Sequence, residues 1–191
     1  MAAQSTWHAW YRTSQGDALE HVTDQRRAEA TRRRGVVLGT GSRGSSPFRF
    51  DYDVLLHPSG TIRRADLSAS TPTEDTQLTL TADGFGHWFR HGVPVMELTG
   101  CLDLTFWCSP QAATWPLARL ALDFGASATL PVARVTGPDL ELAVQHLVYR
   151  SESGDAAGTR CTVARGGQAA DDVRLDPDGR LVAWAARWHR V

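Results

Sequence analysis

Read two residues at a time, much of this chain separates into an apolar and a polar side. In the segment 48–56, Phe48, Phe50, Tyr52, Val54 and Leu56 fall on one side of an extended backbone, and Arg49, Asp51 and Asp53 on the other. Side chains alternate across a strand, so this pattern predicts a strand with one dry face. The segment 97–124 repeats it. Leu98, Gly100, Leu102, Leu104, Phe106 and Cys108 oppose Glu97, Thr99, Asp103 and Thr105, and after Ser109-Pro110 the residues Ala118, Leu120, Leu122 and Phe124 oppose Arg119 and Asp123. Proline removes a ladder donor, so two strands flanking a short polar loop at 109–114 are expected, closed by Trp115-Pro116.

Shorter strands are expected at 7–12, 18–23, 130–135 and 159–165, and in 139–150 the even positions Leu140, Leu142, Val144 and Val148 supply the apolar side against Glu141, Gln145 and Tyr149. No stretch keeps a helical period for three turns. The fold class is therefore mainly all-β: a strongly curved antiparallel sheet, a β-roll or incompletely closed barrel with loops across one mouth. Large aromatic residues on the inner face require an interior that is wide to fill or left open.

One turn occurs twice. The runs 54–62 and 173–181 share V-x-L-x-P-x-G-x-I/L, in which the proline and glycine suit a turn continued by a left-handed glycine, as in a bulged hairpin. The pairing suggests an internal duplication within a single domain spanning residues 1–191, with halves at about 1–105 and 116–191.

Composition excludes several classes. A chain of 191 residues with 42% hydrophobic content can bury one substantial core, and a formal net charge of -1 gives no general drive toward nucleic acid or anionic membranes. The charge-dense run 24–34 lacks interleaved aromatics and is expected as a solvated helix turn or loop. Gly35 to Gly41 has no Gly-Lys-Ser/Thr after it, so it is a strand entering a glycine and serine loop, not a phosphate loop. His87 and His91 stand four apart, but among glycines that oppose a helix and with no third ligand nearby, so no metal or cofactor is assigned. Three cysteines, Cys101, Cys108 and Cys161, with no C-x-x-C spacing point to reduced thiols. No signal h-region and no apolar run of membrane-spanning length is present, so the expectation is a cytoplasmic protein without integral membrane association. No Gly-x-Ser-x-Gly elbow exists, and no catalytic residue is assigned.

The order G-C-L-D-L, S-P-x-x-x-T, W-P-L-A-R-L resembles the signature of the putative glycolipid-binding family, which runs approximately G-C-x-D-V/I-D-L, T-P-F-T-N-T, L-P-I-R-R-L. Gly100, Cys101, Asp103, Leu104, Pro110, Thr114, Pro116, Arg119 and Leu120 match, while Ser109, Gln111, Ala112, Ala113 and Ala118 depart from it. The opening of the family pattern is answered by Trp10, Gly16, Leu19 and Glu20, and a later part by Pro138, Leu140 and Gln145, with Tyr149 further along than the pattern has it. The resemblance implies a β-roll similar to the periplasmic lipoprotein carriers, whose concave sheet holds acyl chains.

On that footing the expected function is binding of a lipid or glycolipid-like amphipathic molecule in a concave apolar cavity. The candidate ligand-contacting residues are Tyr52, Arg63, Trp88, Asp103, Ser109, Gln111, Arg119, Gln145 and Tyr149. Asp103 and Arg119 are expected to form a partly buried ion pair between the two central strands, fixing their register or orienting a head group. The alternatives are a small hydrolase or isomerase using Asp103, Arg119 and His146, and a protein-interaction module. The carrier reading depends on one condition: the trough must not be filled by the protein's own side chains.

Overall fold

The computed structural model describes residues 5–14, 17–27, 29–40 and 46–191. Gly16 and the expected glycine and serine loop at 41–45 lie outside the described residues. The first half is an antiparallel meander: β1 (Ser5–Thr13), β2 (Ala18–Arg26), β3 (Thr31–Gly39), β4 (Phe48–Leu56), β5 (Ile62–Ser70), β6 (Asp75–Ala82), then the short β7 (Trp88–Arg90) and β8 (Val93–Pro94). The second half begins with β9 (Leu104–Phe106) and α1 (Gln111–Leu120). It continues as β10 (Ser127–Val135), β11 (Leu142–Asp155), β12 (Gly158–Arg165), β13 (Asp171–Leu175), β14 (Leu181–Trp184) and β15 (Trp188–Arg190). The first and last strands join the halves, Tyr11 pairing with Arg190 and Thr13 with Trp188, so one sheet runs from β8 through β1 and β15 to β9. Every pairing is antiparallel except β9 with β10. β8 and β9 end the sheet without meeting, which leaves a curved wall and not a closed barrel.

The meander follows from local chemistry. In β4, Phe50, Tyr52, Val54 and Leu56 are all buried, as the alternation predicts. The two P-x-G turns form the hairpins joining β4 to β5 and β13 to β14, each with a register shift, at Leu55/Leu56 and Arg174/Leu175. Gly60 and Gly179 sit at φ of 85° and 75°, a conformation side chains resist. Gly35 pairs directly with Tyr52, and a Cβ there would run into the Tyr52 ring, so only glycine lets the ring approach the backbone this closely.

Between the two meanders the chain crosses the concave face, and here the structure departs from the expected strand, loop and strand. Residues 96–98 form a 3-10 turn, only Leu104 to Phe106 pair as a strand, and 111–120 are an α-helix. Gln, Ala, Leu and Arg favour helix, and the first turn tolerates a preceding proline. Pro116 deprives the Ala112 carbonyl of its helical donor. From outside the helix, the Tyr149 hydroxyl donates to the adjacent Ala113 carbonyl at 3.0 Å. Gln111 through Leu117 are buried without a break, so no amphipathic stripe advertises the helix.

That crossing fills the trough. Phe106 packs 5.0 Å from the ring centres of both Phe50 and Tyr52, Trp107 lies 4.7 Å from Phe50, and Trp115 stands edge-on to Phe106 at 6.1 Å. The open apolar cavity expected for acyl chains is therefore occupied by the protein's own aromatic residues. Two further expectations are corrected. In β11 the odd face is buried, with Leu147 and Tyr149 inside and Val144 and Val148 outside, because Tyr149 must reach α1. The charge-dense run is neither helix turn nor solvated loop throughout: it forms the end of β2 and the start of β3, and Arg33 turns inward under Trp115, its guanidinium 5.1 Å above the ring. Among the described residues no helix is long and apolar enough to cross a membrane.

Candidate functional site

The N-terminus of α1 brings a polar cluster into the core. Ser109 Oγ donates to Glu20 Oε1 at 2.7 Å and accepts from the Gln111 N–H at 3.1 Å. The Tyr52 hydroxyl donates to the same carboxylate oxygen at 2.9 Å. Glu20 is wholly buried, and its Oε2 has no protein partner among the described residues. Burial pushes its carboxyl up to about 7, against the opposing pull of the Ser109 and Tyr52 hydroxyls. Burial also drives the Tyr52 phenol well above its ordinary range and the Tyr11 phenol up to about 12. The cluster thus holds its hydroxyls as donors and holds one carboxyl near the midpoint of its titration at neutral pH.

Ser109 opens this cluster to the surface. It forms part of the wall of a cleft of ≈390 Å³ at the mouth where β1 meets β15, between Phe48, Trp107, Trp184 and Trp188, with Asp17, Arg165, Gln168 and Arg187 around it. Asp171 is held in place there by the Trp184 indole N–H, which donates to its Oδ2 at 2.8 Å. The cleft has the volume of a small-molecule site. Two larger depressions lie elsewhere, one of ≈490 Å³ over β2 to β6 and one of ≈680 Å³ beside β7, β8 and the start of β11. In the first, Asp53 and Asp66 are already engaged by arginines at 2.5 to 2.9 Å.

The nine candidate residues separate into two groups and three isolated positions. Tyr52, Ser109 and Gln111 meet through Glu20 and the start of α1. Asp103, Arg119 and Tyr149 lie along the rest of the helix: Arg119, in its last turn, is ion-paired with Asp103, whose side chain is 3% exposed, and the Tyr149 hydroxyl bonds the Ala113 carbonyl in its first turn. That pair was expected, but the arginine is carried by the helix and not by a second strand. Burial raises the Asp103 carboxyl, and the Arg119 guanidinium pulls it back. Trp88 is a core residue whose indole N–H donates to the Cys101 carbonyl at 2.7 Å. Gln145 is half-buried on β11 opposite Val132, and Arg63 is exposed on β5.

Glu20 is the residue that sequence reasoning matched to the family pattern but did not place among the site residues. Its signal was present, since the strand 18–23 sets a carboxylate between Ala18 and Val22 on the face that faces the core. Phe48, Trp107 and the paired Trp184 and Trp188 of the β14–β15 hairpin converge from three separate segments, and no local pattern joins them.

These features define a class: an antiparallel sheet coiled around an internal helix, with an aromatic cleft opening onto a buried carboxyl. The chain belongs to the family described as putative glycolipid-binding, whose model matches residues 6–190. The fold is shared with the crystal structure of a DUF1089 family protein from Pseudomonas aeruginosa. That protein is 23% identical, with a TM-score of 0.77, and the match covers 100% of this chain and 94% of the other. A search among curated proteins gives no match.

Proposed function

We propose that this protein binds an amphipathic glycolipid by its head group, in the aromatic cleft at the seam of β1 and β15 and not in the trough. The observation that carries the reading is the cleft's lining. Ring faces of Phe48, Trp107 and Trp188 offer flat apolar surface, while Ser109, Gln168, Arg165 and Asp171 offer hydrogen-bonding groups at its edge. A sugar ring presents the complementary pattern, apolar C–H faces bordered by hydroxyls. The family description supports a glycolipid as the source of that head group. Burying acyl methylenes would contribute about 0.8 kcal/mol each, but the trough that would take them is filled, so the tail stays in the lipid aggregate. We read the protein as a single-domain, cytoplasmic binder that meets its ligand at a membrane surface, since its three cysteines are free thiols.

The test is co-flotation with phosphatidylcholine vesicles containing monogalactosyl diacylglycerol, with plain vesicles as control, alongside tryptophan fluorescence with octyl glucoside. Binding is expected for the glycolipid vesicles and for the detergent, and Trp107→Ala should weaken both. Equal behaviour toward plain and glycolipid vesicles, with no response to octyl glucoside, would sink the reading.

A second reading, hydrolysis, is favoured by one observation: Ser109 donates to a carboxyl whose pKa is pushed to about 7, where a general base works best at neutral pH. Turnover of p-nitrophenyl esters that disappears in Ser109→Ala would establish it, and no turnover would dismiss it.

A further inference from the structure

Gln111 also borders a second, smaller cavity, of ≈30 Å³, together with Trp7, Asp24, Arg33, Trp115 and Arg180. What sets this cavity apart is where the unpaired polar atoms fall. Of the eight buried side-chain atoms without a protein hydrogen-bond partner among the described residues, four belong to its lining: Asp24 Oδ1, Arg33 Nη1, Gln111 Nε2 and Arg180 Nε. Asp24 is 7% exposed and Gln111 5%. Buried polar atoms are nearly always satisfied, so a concentration of them around one cavity marks a place shaped for something other than protein.

The charges there are paired only loosely. Arg33 and Arg26 approach Asp24 Oδ2 only to 3.6 and 3.7 Å, beyond hydrogen-bonding distance. Each guanidinium is instead positioned by an aromatic face, Arg33 over Trp115 at 5.1 Å and Arg180 over Trp7 at 4.8 Å. Stacking fixes the plane of a guanidinium and leaves the N–H groups at its edge available. Arg180 Nη1 donates to Asp178 at 2.6 Å, which uses one edge and not its Nε. Arg26, Arg33 and Arg180 face Asp24 and Asp178, an excess of one positive charge.

We propose that this cavity binds a phosphate group that keeps a P–OH, either inorganic phosphate or a phosphomonoester in its monoanionic form. Arg33, Arg180 and Gln111 supply N–H donors to anionic oxygens, bidentate chemistry that suits phosphate. The remaining lining atom, Asp24 Oδ1, is an acceptor, and among oxyanions only one that carries a hydroxyl hydrogen satisfies it. Sulfate and phosphodiesters are fully ionised at neutral pH and would set a bare oxygen against that carboxylate. The enclosed volume has room for about two water-sized atoms, so it takes two phosphate oxygens with the rest of the group at the mouth beside Arg180, and excludes a sugar ring or an acyl chain. The site stands apart from the aromatic cleft and does not rest on the glycolipid reading.

The experiment is calorimetric titration and thermal unfolding of the full chain at pH 6, where a phosphomonoester keeps its P–OH in about half of the molecules, with inorganic phosphate, with sodium sulfate at matched ionic strength, and with glucose 6-phosphate. Vesicles of phosphatidylcholine carrying phosphatidic acid, a monoester, or phosphatidylglycerol, a diester, separate a lipid source from a free one. Phosphate and the monoesters should titrate to one site per chain and raise Tm, while sulfate and the diester should not. Arg180→Ala should weaken phosphate about tenfold or more, the loss of one charged hydrogen bond, and Asp24→Asn should abolish the preference over sulfate. Arg180 is at the mouth, 21% exposed in its side chain, so its variant keeps the test alive if Asp24→Asn does not fold. Equal stabilisation by sulfate and phosphate, indifference of binding to Arg180→Ala, or a crystal soaked in phosphate showing only water between Asp24 and Arg33 would overturn the proposal.

Discussion

Ser109 and Glu20, 89 residues apart, are joined by a 2.7 Å hydrogen bond that ties the start of the internal helix to the second strand of the sheet. Through it, the segment filling the trough is anchored to the wall around it. The same carboxylate oxygen takes the Tyr52 hydroxyl at 2.9 Å, so one buried acid connects helix, strand and the wall of the cleft.

Stability should depend on pH through that acid. The Glu20 carboxyl moves from 4.5 to about 7 on folding, so the unfolded chain releases its proton first as pH rises. The stabilising contribution is complete below about 4.5, declines as pH climbs toward about 7, and is constant above it. At 1.36 kcal/mol per unit the decline amounts to about 3 kcal/mol. Glu20→Gln should lose this slope. Urea unfolding at a series of pH values reads it directly, and a variant that keeps the wild-type slope would place the titration elsewhere.

Removing one member of the Asp103 and Arg119 pair leaves a lone buried charge. Asp103 is 3% and Arg119 18% exposed in their side chains, so Asp103→Asn should destabilise by about 3–5 kcal/mol. Replacing both, as Asp103→Leu with Arg119→Met, should recover most of the loss. A double variant no more stable than the single one would show that the pair holds more than its own charges.

Gly35→Ala should destabilise by about 1–3 kcal/mol, because the new methyl meets the Tyr52 ring and cannot be accommodated without moving β3 or β4. The displaced ring should also lose its bond to Glu20, seen as a change in near-ultraviolet circular dichroism. Pairing the change with Tyr52→Leu should relieve part of the strain. No relief would mean that backbone preference, and not the clash, sets the loss.

The three thiols should be inert while the protein is folded. Burial pushes Cys101 up to about 11 and Cys108 well above the usual thiol range, and raises Cys161 as well. Since the thiolate is the nucleophile, iodoacetamide at mildly alkaline pH should modify them only after unfolding, counted by intact-mass spectrometry. Cys108 lines the aromatic cleft, so fast labelling there in the native state would show that the cleft gives reagent access despite the raised thiol.

The hairpins were legible because their causes are local. The period of two in β4 and the left-handed glycines at positions 60 and 179 need only neighbouring residues to act. Asp103 and Arg119 were also found, although by a route that placed the arginine on a strand. The helix was hidden for a physical reason. Two prolines and an accidental alternation at 118–124 read as breaker and strand, and a helix buried on every side has no polar face to reveal its period.

Sequence alone therefore determined the wall, since alternation and turn chemistry act within a few residues and leave little choice of local structure. Only the tertiary structure decided what stands inside it. Whether Trp115, Phe106 and Gln111 face solvent, a ligand or one another depends on contacts between segments far apart in the chain. Those contacts closed the trough and formed the aromatic cleft and the Arg33 cavity.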